Sequence, residues 1–257
     1  MDQRVAIVTG AGRGLGRAMA LGLARAGARV VATAAREGAE VEATAALGGG
    51  RIMALVADVT QETDARRVVA ETLERFGRLD ILVNNAGRGM KFVSDSFMTE
   101  PTRFWEVRPA VWRLVVDTNV NGPFLMAQAA TPHLLEAGWG RIVNISMIQA
   151  TMRRQGFSPY GPSKAALESE TAIWAADLRG TGVTVNALLP GGATLTGMIP
   201  AGFPEASRAG LLSPEIIVPP LLWLVSSEAD GVTGLRFDAS RWRREDPLAG
   251  VDPACWG

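Results

Sequence analysis

Short apolar runs alternate with longer segments of helical periodicity along most of this chain, and that alternation restricts the fold more than any other feature. The strand-like runs are apolar almost throughout, and Gly, Asn or Asp residues stand near the ends of several of them. These runs cover residues 4–10, 28–34, 51–59, 79–87, 140–146 and 182–192, and the helix-like segments cover 15–27, 62–76, 109–137 and 159–179. Continuous apolar character is typical of strands that are covered on both faces. The pattern predicts an α/β fold, a doubly wound parallel sheet with helices on both faces and right-handed crossovers.

Composition and charge indicate one folded unit without a charged partner. The 257 residues are 47% hydrophobic and 20% charged, which is enough for a buried core. No linker or repeat divides the chain, so we predict a single domain over residues 1–257, with less regular segments near 88–112 and 188–215 on the substrate side. The 26 basic and 26 acidic residues balance, so we expect neither nucleic acid nor a membrane as a partner.

Cysteine and histidine usage bears on compartment and metal content. Cys255 is the only cysteine and cannot form an internal disulfide, which favours a reducing compartment. The N-terminus lacks a basic region followed by a long apolar segment, and no run of about 18 apolar residues occurs. We therefore predict a cytoplasmic location. The only histidine, His133, lies in a helix-like segment with no ligand cluster around it, so no metal site is expected.

A glycine-rich turn lies between the first strand-like run and the first helical segment. In TGAGRGLG (9–16), Gly10, Gly14 and Gly16 permit a tight turn and a close approach of the backbone to a pyrophosphate. The free N–H groups at the start of the following helix would face that anion. An ordinary glycine-rich turn without a ligand is the alternative.

A tyrosine and a lysine stand one helical turn apart in SPYGPSK (158–164). Tyr160 is the only tyrosine, and Lys164 is one of two lysines, the other being Lys91. Positions i and i+4 share one helix face, so both side chains can point into one site. A nearby ammonium favours the phenolate and lowers the pKa of tyrosine from its usual value of about 10. The pair therefore predicts a phenol that exchanges a proton with a substrate.

Five motifs occur together in an order that resembles the short-chain dehydrogenase/reductase family. They are TGAGRGLG, with its T-G-x-x-x-G-x-G spacing, ADV (57–59), NNAG (84–87), YGPSK (160–164) and PGG (190–192). The resemblance extends from about residue 4 to residue 238. It implies a Rossmann-like fold, a nicotinamide cofactor and an oxidoreductase.

The resemblance also assigns cofactor contacts. Asp58 would contact the adenine ring, NNAG would line the adenine-ribose side, and PGG would meet the nicotinamide. The family threonine that contacts the carboxamide falls here at Leu195, and either Thr194 or Thr196 could replace it. The full set of expected contacts is Gly10, Arg13, Gly14, Leu15, Gly16, Arg36, Asp58, Val59, Asn85, Ala86, Gly87, Tyr160, Lys164, Pro190, Gly191, Thr194 and Thr196.

The end of the second strand-like run favours NADP(H) over NAD(H). An acidic residue there would bind the ribose 2′-hydroxyl of NAD and repel a 2′-phosphate. The expected acidic position is Ala34, and Ala35 follows it. Arg36 and Arg13 can supply guanidinium groups to a 2′-phosphate. Glu37, which could bind a ribose hydroxyl, is the opposing signal.

By resemblance, Tyr160 is the general acid/base, Lys164 lowers its pKa and holds the nicotinamide ribose, and Asn119 supports a water-linked proton relay. The family serine would stand thirteen positions before the tyrosine, where this chain has Met147. Ser146 serves if the loop differs by one residue, which we favour. Alternatively Thr151 reaches in, or the site lacks a hydroxyl donor, which would suit an imine or iminium substrate.

The resulting hypothesis is an NADP-dependent reductase of a carbonyl or C=N compound. The alternative is a catalytically weakened nucleotide-binding regulatory protein on the same fold. We expect a small apolar or cyclic substrate, with aromatic side chains of residues 88–112 lining an apolar pocket and Arg153 and Arg154 near its border. By resemblance the protein is a homotetramer or homodimer that pairs through helices 109–137 and 159–179.

Overall fold

Seven parallel strands form one sheet in the order β3-β2-β1-β4-β5-β6-β7. The computed structural model describes residues 1, 3–36, 38–200 and 202–252, so Glu37 and Cys255 lie outside the described residues. The strands are β1 (Val5–Val8), β2 (Arg29–Ala34), β3 (Ile52–Val56), β4 (Ile81–Asn84), β5 (Gly140–Ile145), β6 (Val183–Leu189) and β7 (Arg236–Asp238). The predicted doubly wound α/β fold is confirmed.

Helices cover both faces of this sheet. The α-helices are α1 (Gly14–Arg25), α2 (Gly38–Ala46), α3 (Glu62–Phe76), α4 (Pro109–Val116), α5 (Gly122–Glu136), α6 (Gln149–Met152), α7 (Tyr160–Asp177), α8 (Glu205–Arg208) and α9 (Val218–Leu224). No helix within the described residues is long and apolar enough to cross a membrane.

Two hydrophobic layers, one on each face, explain why the strands are apolar throughout. Ile7 of β1 pairs with Val31 and Leu82 and packs into the layer under α3 and α5. Its neighbours Ala6 and Val8 point the other way, into the layer under α1 and α9. Because successive side chains of a strand point to opposite faces, a strand covered on both faces needs apolar residues at every position.

The strand order reverses at β1, and this reversal places the site. The chain moves outward from β1 to β2 and β3, then returns to β4 on the other side of β1. In such a sheet a crevice opens at the carboxyl ends of the strands where the order reverses. The glycine-rich turn after β1 and the NNAG motif after β4 both lie at that edge.

Several parts of the fold differ from the sequence-based expectation, and helices α2, α6, α8 and α9 lie outside the predicted helix-like segments. Segment 109–137, predicted as one helix, is interrupted by a π-helical turn at Asp117–Asn121. Strand β7 was not predicted, because two of its three residues, Arg236 and Asp238, are charged yet buried. Arg236 pairs with Glu168 and Asp252, which are distant in sequence, so the local pattern did not indicate a strand.

Candidate functional site

The turn between β1 and α1 brings two backbone segments closer than any side chain would allow. Gly10 has a φ of +64°, and a Cβ there would lie 2.8 Å from the Cα of Ala86. A Cβ on Gly16 would lie 2.2 Å from the carbonyl oxygen of Gly10. The N-cap residue of α1, Arg13, makes no side-chain capping bond, so the free N–H groups at this helix start are available to an anion.

Asn85 fastens the end of β4 to this turn. Its Nδ2 donates to the carbonyl oxygens of Thr9, at 2.8 Å, and Gly10, at 3.1 Å. The Thr9 hydroxyl in turn accepts from the backbone N–H groups of Asn85 and Ala86, each at 3.0 Å. The glycine-rich turn and the NNAG motif are therefore held together as one wall of the crevice.

A cleft of about 400 Å³ opens at this edge of the sheet. Most of the predicted cofactor contacts line it, namely Gly10, Arg13, Gly14, Leu15, Gly16, Arg36, Asp58, Val59, Asn85, Ala86, Gly87 and Thr196. Sequence reasoning missed other lining residues, among them Arg88, Lys91, Thr118 and Met198. Of these, Arg88 had a signal that could have found it, since it directly follows the NNAG motif.

The remaining predicted cofactor residues lie outside the lining of this cleft, namely Tyr160, Lys164, Pro190, Gly191 and Thr194. Pro190 is buried, and a Cβ on Gly191 would lie 2.3 Å from a carboxylate oxygen of Asp238. Thr194 is also buried, and its hydroxyl donates to the carbonyl oxygen of Gly192 at 3.2 Å. Their nicotinamide contacts stay predictions.

Arg88 carries a half-buried charge into the cleft. Burial lowers the pKa of its guanidinium, and the nearby Arg36 and Arg13 lower it further, while Asp58 raises it. The guanidinium lies 4.5 Å from the centre of the Phe92 ring and forms no ion pair with the described residues. By contrast, Arg13 is exposed and pairs with Glu40 at 3.2 Å. The cleft thus holds positive charge that the protein only partly neutralises.

Residues 196–198 contact the opposite wall of the cleft. A Cβ on Gly14 would lie 3.0 Å from the Cγ2 of Thr196, and one on Gly89 would lie 3.2 Å from the Sδ of Met198. Lys91 donates from Nζ to the carbonyl oxygen of Gly197 at 3.3 Å. Part of the less regular segment 188–215 therefore lines the cleft in this structure.

Tyr160 begins α7 and packs against an apolar cluster formed by Met90, Met147, Met152 and Phe157. Burial raises the pKa of its phenol to about 12. Its hydroxyl makes no hydrogen bond with the described residues. The expected net lowering of the pKa of Tyr160 is therefore wrong for this structure, because loss of hydration disfavours the phenolate and the net shift is upward.

Lys164 is 3% exposed and donates from Nζ to the carbonyl oxygen of Ile145, the last residue of β5, at 2.7 Å. Burial lowers the pKa of its ammonium to about 8, and the carboxylate of Glu168 opposes that effect. Lys164 therefore stays mostly protonated at neutral pH, and its position is fixed by the end of a strand.

Ser146 does not serve as the donor beside Tyr160 in this geometry. Its hydroxyl donates to the carboxylate of Glu168 in a buried contact. The next residue, Met147, packs into the cluster around Tyr160 instead. Adjacent residues of an extended segment point to opposite sides, which is why only one of the two can face the phenol. Thr151, the second alternative, lies half-buried in α6 and stays a prediction.

Asn119 connects the cleft wall to α7. It lies in the π-helical turn, and its Oδ1 accepts from the backbone N–H of Arg88 at 2.7 Å. Its Nδ2 donates to the carbonyl oxygen of Arg88 and to the hydroxyl of Ser163, each at 2.9 Å. The Ser163 hydroxyl donates to the carbonyl oxygen of Tyr160 at 2.7 Å. The side chain of Asn119 thus connects the backbone of Arg88 to α7 by hydrogen bonds. Its role in a proton relay stays a prediction.

The aromatic residues expected at a pocket mouth separate into two groups. Phe97 packs edge-on against Phe157, with ring centres 6.0 Å apart, beside the cluster around Tyr160. Phe104 and Trp105 are exposed and border a second, open groove of about 780 Å³ that Arg153 and Arg154 also line. Within the described part of the chain, no three His, Cys, Asp or Glu residues form a group that could hold a metal ion.

The single tyrosine makes its ionisation directly measurable. We expect the absorbance of phenolate near 295 nm to show Tyr160 almost fully protonated at pH 10, because burial raises its pKa to about 12. The same protein unfolded in guanidinium should be about half ionised at pH 10. Half-ionisation at pH 10 in the folded protein, with tryptophan fluorescence unchanged, would contradict a desolvated phenol.

Comparison with known proteins identifies the family of this chain. The sequence profile of the short chain dehydrogenase family matches residues 4–205. The 3-oxoacyl-[acyl-carrier-protein] reductase of Synechocystis sp. is 36% identical over 194 residues, which cover 74% of each chain.

Two solved structures are similar over almost the whole chain. The 3-ketoacyl-(acyl-carrier-protein) reductase of Brucella melitensis, complexed with NADH, has a TM-score of 0.81 at 32% identity, covering 92% of this chain and 96% of its own. A putative NAD(P)-dependent gluconate 5-dehydrogenase of Beutenbergia cavernae, solved with bound NADP, has a TM-score of 0.79 at 32% identity, covering 93% and 96%. The chain belongs to the short-chain dehydrogenase/reductase family of NAD(P)-dependent oxidoreductases.

Proposed function

We propose that this protein is an NADP-dependent reductase of small carbonyl compounds in which Tyr160 donates the proton. The observation that carries the proposal is the chain of hydrogen bonds from the cleft wall through Asn119 and Ser163 to the backbone carbonyl of Tyr160. Asn119 binds the backbone of Arg88, in the cleft wall, and also the Ser163 hydroxyl one turn from Tyr160. These bonds connect the cleft wall to the helix that carries Tyr160, which supports a single site.

The cleft fits a dinucleotide phosphate. A Cβ at Gly10 or Gly16 would fill the space that lets the backbone approach a pyrophosphate. The N–H groups at the start of α1 and the unpaired Arg88 are suited to anionic oxygens. Arg13, Arg36 and Arg88 together favour a 2′-phosphate, and hence NADP over NAD.

The chemistry that the bound nicotinamide supplies is transfer of a hydride to the substrate carbon. Tyr160 stays protonated at neutral pH, since its pKa is about 12, and can donate that proton to the substrate oxygen. Lys164, still mostly charged, stabilises the phenolate that remains. The cluster of Met90, Met147, Met152 and Phe157 keeps water from this side of the phenol.

Met147 restricts the substrate. A thioether donates no hydrogen bond, so Tyr160 has no second hydroxyl donor from Ser146 or from position 147. A carbonyl that needs two donors would react slowly, whereas an imine or iminium, whose nitrogen is basic or charged, needs less help. Reduction of C=N compounds is therefore the second candidate activity, favoured by this one residue.

We also propose that residues 1–257 act as one dinucleotide-binding and catalytic domain, with segments 88–112 and 188–215 on the substrate side. Self-association is supported by large apolar side chains left exposed on helices, namely Trp112 of α4, Phe124 of α5 and Ile173 of α7. Such side chains are suited to an interface between copies of this chain, a homodimer or homotetramer. The cytoplasm remains the proposed compartment.

Replacing Tyr160 by Phe tests the reductase proposal. We expect Tyr160→Phe to lower turnover of any ketone or cyclic imine that the wild type reduces by at least about 100-fold, because the proton donor is lost. NADPH affinity, measured by fluorescence titration, should change little. Full activity in this variant would remove Tyr160 from the mechanism. If the wild type binds NADPH but oxidises none of it with ketones, quinones or cyclic imines, the regulatory-protein alternative is favoured.

Met147→Ser tests whether a hydroxyl at position 147 would supply the second hydrogen bond to the reacting oxygen. We expect kcat for ketones to rise about tenfold or more, because one oxyanion donor contributes that much or more to rate. Met152→Ser, in the same cluster, is the matched control and should not raise kcat. Equal kcat in wild type and Met147→Ser would show that position 147 does not face the reacting oxygen.

Arg36→Ala and Arg88→Ala test the choice of cofactor. We expect each to weaken NADPH binding about tenfold or more, because a charge-assisted hydrogen bond to the 2′-phosphate is lost, with NADH binding changed much less. Isothermal titration calorimetry measures both constants without a substrate. Arg66→Ala, which alters an exposed ion pair on α3, is the control. Equal losses for NADPH and NADH would overturn a 2′-phosphate contact.

A further inference from the structure

A buried ion pair lies directly behind the proposed reacting pair. Glu168 stands one helical turn after Lys164 on α7 and is 4% exposed, and Arg236 on β7 is 7% exposed. The Nε of Arg236 lies 3.0 Å from both carboxylate oxygens of Glu168. A buried carboxylate one helical turn from Lys164 is thus paired with a buried guanidinium.

The same two side chains hold the end of β5. Glu168 accepts the hydroxyl of Ser146, and the Arg236 guanidinium donates to the carbonyl oxygen of Met147. Lys164 donates to the carbonyl oxygen of Ile145. Three consecutive residues, 145–147, are therefore tied to charged groups, and the last of them packs in the cluster around Tyr160.

Arg236 extends this network to the C-terminal segment. Its guanidinium pairs with the carboxylate of Asp252, whose backbone N–H donates to the carbonyl oxygen of Arg236 at 2.9 Å. Val251 forms an antiparallel bridge with Phe237 of β7. The C-terminal segment at Asp252 is therefore connected to the site through the guanidinium of Arg236, although it lies far from Lys164 in sequence.

Stability alone does not account for this arrangement. A buried ion pair costs desolvation that its attraction often only balances, so apolar residues of similar volume would usually stabilise the fold as well or better. What apolar residues would not supply is a negative charge one turn from a buried ammonium and a donor to the Met147 carbonyl.

We infer that Glu168 and Arg236 are positioning residues: the Glu168 carboxylate keeps the buried Lys164 ammonium charged, and Arg236 fixes both that carboxylate and the Met147 backbone. The inference rests on the proposed function only in treating Tyr160 and Lys164 as the reacting pair. Neither Glu168 nor Arg236 lines the nucleotide cleft.

The charges facing Lys164 agree with this inference. On α7 the neighbouring groups are the carboxylate of Glu168 and the neutral phenol of Tyr160. From β5, the carbonyl oxygen of Ile145 accepts a hydrogen bond from Lys164. Arg236 of β7 forms ion pairs with both Glu168 and Asp252. Burial lowers the pKa of Lys164 to about 8, and Glu168 is the group that raises it. Without that carboxylate, the lysine would lose its proton nearer neutral pH.

The protein has only two lysines, which permits a direct test by NMR. With isotope-labelled lysine, two side-chain signals appear, and Lys91→Arg assigns the one from Lys164. We expect Lys164 to titrate near pH 8 in the wild type and about one pH unit lower in Glu168→Gln, because the opposite charge is lost. Glu170→Gln, a matched change on the same helix, should titrate as the wild type does. Identical titrations of Lys164 in all three proteins would overturn the role of Glu168.

Glu168→Asp keeps the test informative should Glu168→Gln fail to fold. It retains the charge one methylene further from Lys164, so we expect a smaller shift in the same direction. Titration of Lys164 at or above its wild-type pH would contradict the inference. These measurements need no cofactor or substrate. An active Tyr160→Phe would therefore overturn the proposed function, whereas an unshifted Lys164 would overturn only the inference.

Arg236→Lys tests the second part. It keeps a charge but cannot reach Glu168, Asp252 and the Met147 carbonyl together. We expect kcat to fall about tenfold while NADPH affinity stays within about twofold, since misplacing a reacting group affects the chemical step. Unchanged kcat, or an equal loss in kcat and in NADPH affinity, would show that Arg236 does not position the site.

Discussion

The close backbone approach at the strand reversal is the constraint on which the rest of the site depends. Gly10, Gly16 and Ala86 come together because no side chain stands between them, and Asn85 bonds the two segments. This contact joins β1 to β4 at the edge where the sheet order reverses. Without it, the start of α1 would not face the NNAG segment, and no cleft for an anionic ligand would form between them.

Desolvation, more than pairwise charge, sets the protonation of the proposed reacting groups. Burial raises the pKa of Tyr160 and lowers that of Lys164, so both shifts favour the neutral form. The phenol is thereby held as a proton donor, while the ammonium depends on Glu168 to remain charged. The methionine cluster surrounds the neutral phenol of Tyr160, and the ion pair of Glu168 and Arg236 lies beside the charged ammonium of Lys164.

Much of this architecture could be predicted from the sequence. The apolar runs predicted strands buried on both faces, and the glycines after β1 predicted the turn that approaches a pyrophosphate. Both predictions succeed because hydrophobic periodicity and glycine content are local properties of the sequence. Twelve of the predicted cofactor residues line the cleft. Met198 was missed because nothing local distinguishes a lining residue from a surface one, whereas Arg88 directly follows the NNAG motif and could have been found. Strand β7 was missed because its Arg236 is neutralised by Glu168 of α7 and Asp252 of the C-terminal segment, which are distant in sequence.

The sequence by itself determined the fold class, the nucleotide cleft and the family, since each depends on periodicity or on motifs of adjacent residues. Only the tertiary structure decided which neighbour faces the phenol. Ser146 and Met147 are both possible from the sequence, and Glu168, held by Arg236 from a distant strand, accepts the serine hydroxyl and leaves methionine beside Tyr160. The same holds for the pKa of Tyr160. A lysine one turn away is visible in the sequence, whereas the burial that outweighs it arises from residues that meet only in the folded chain.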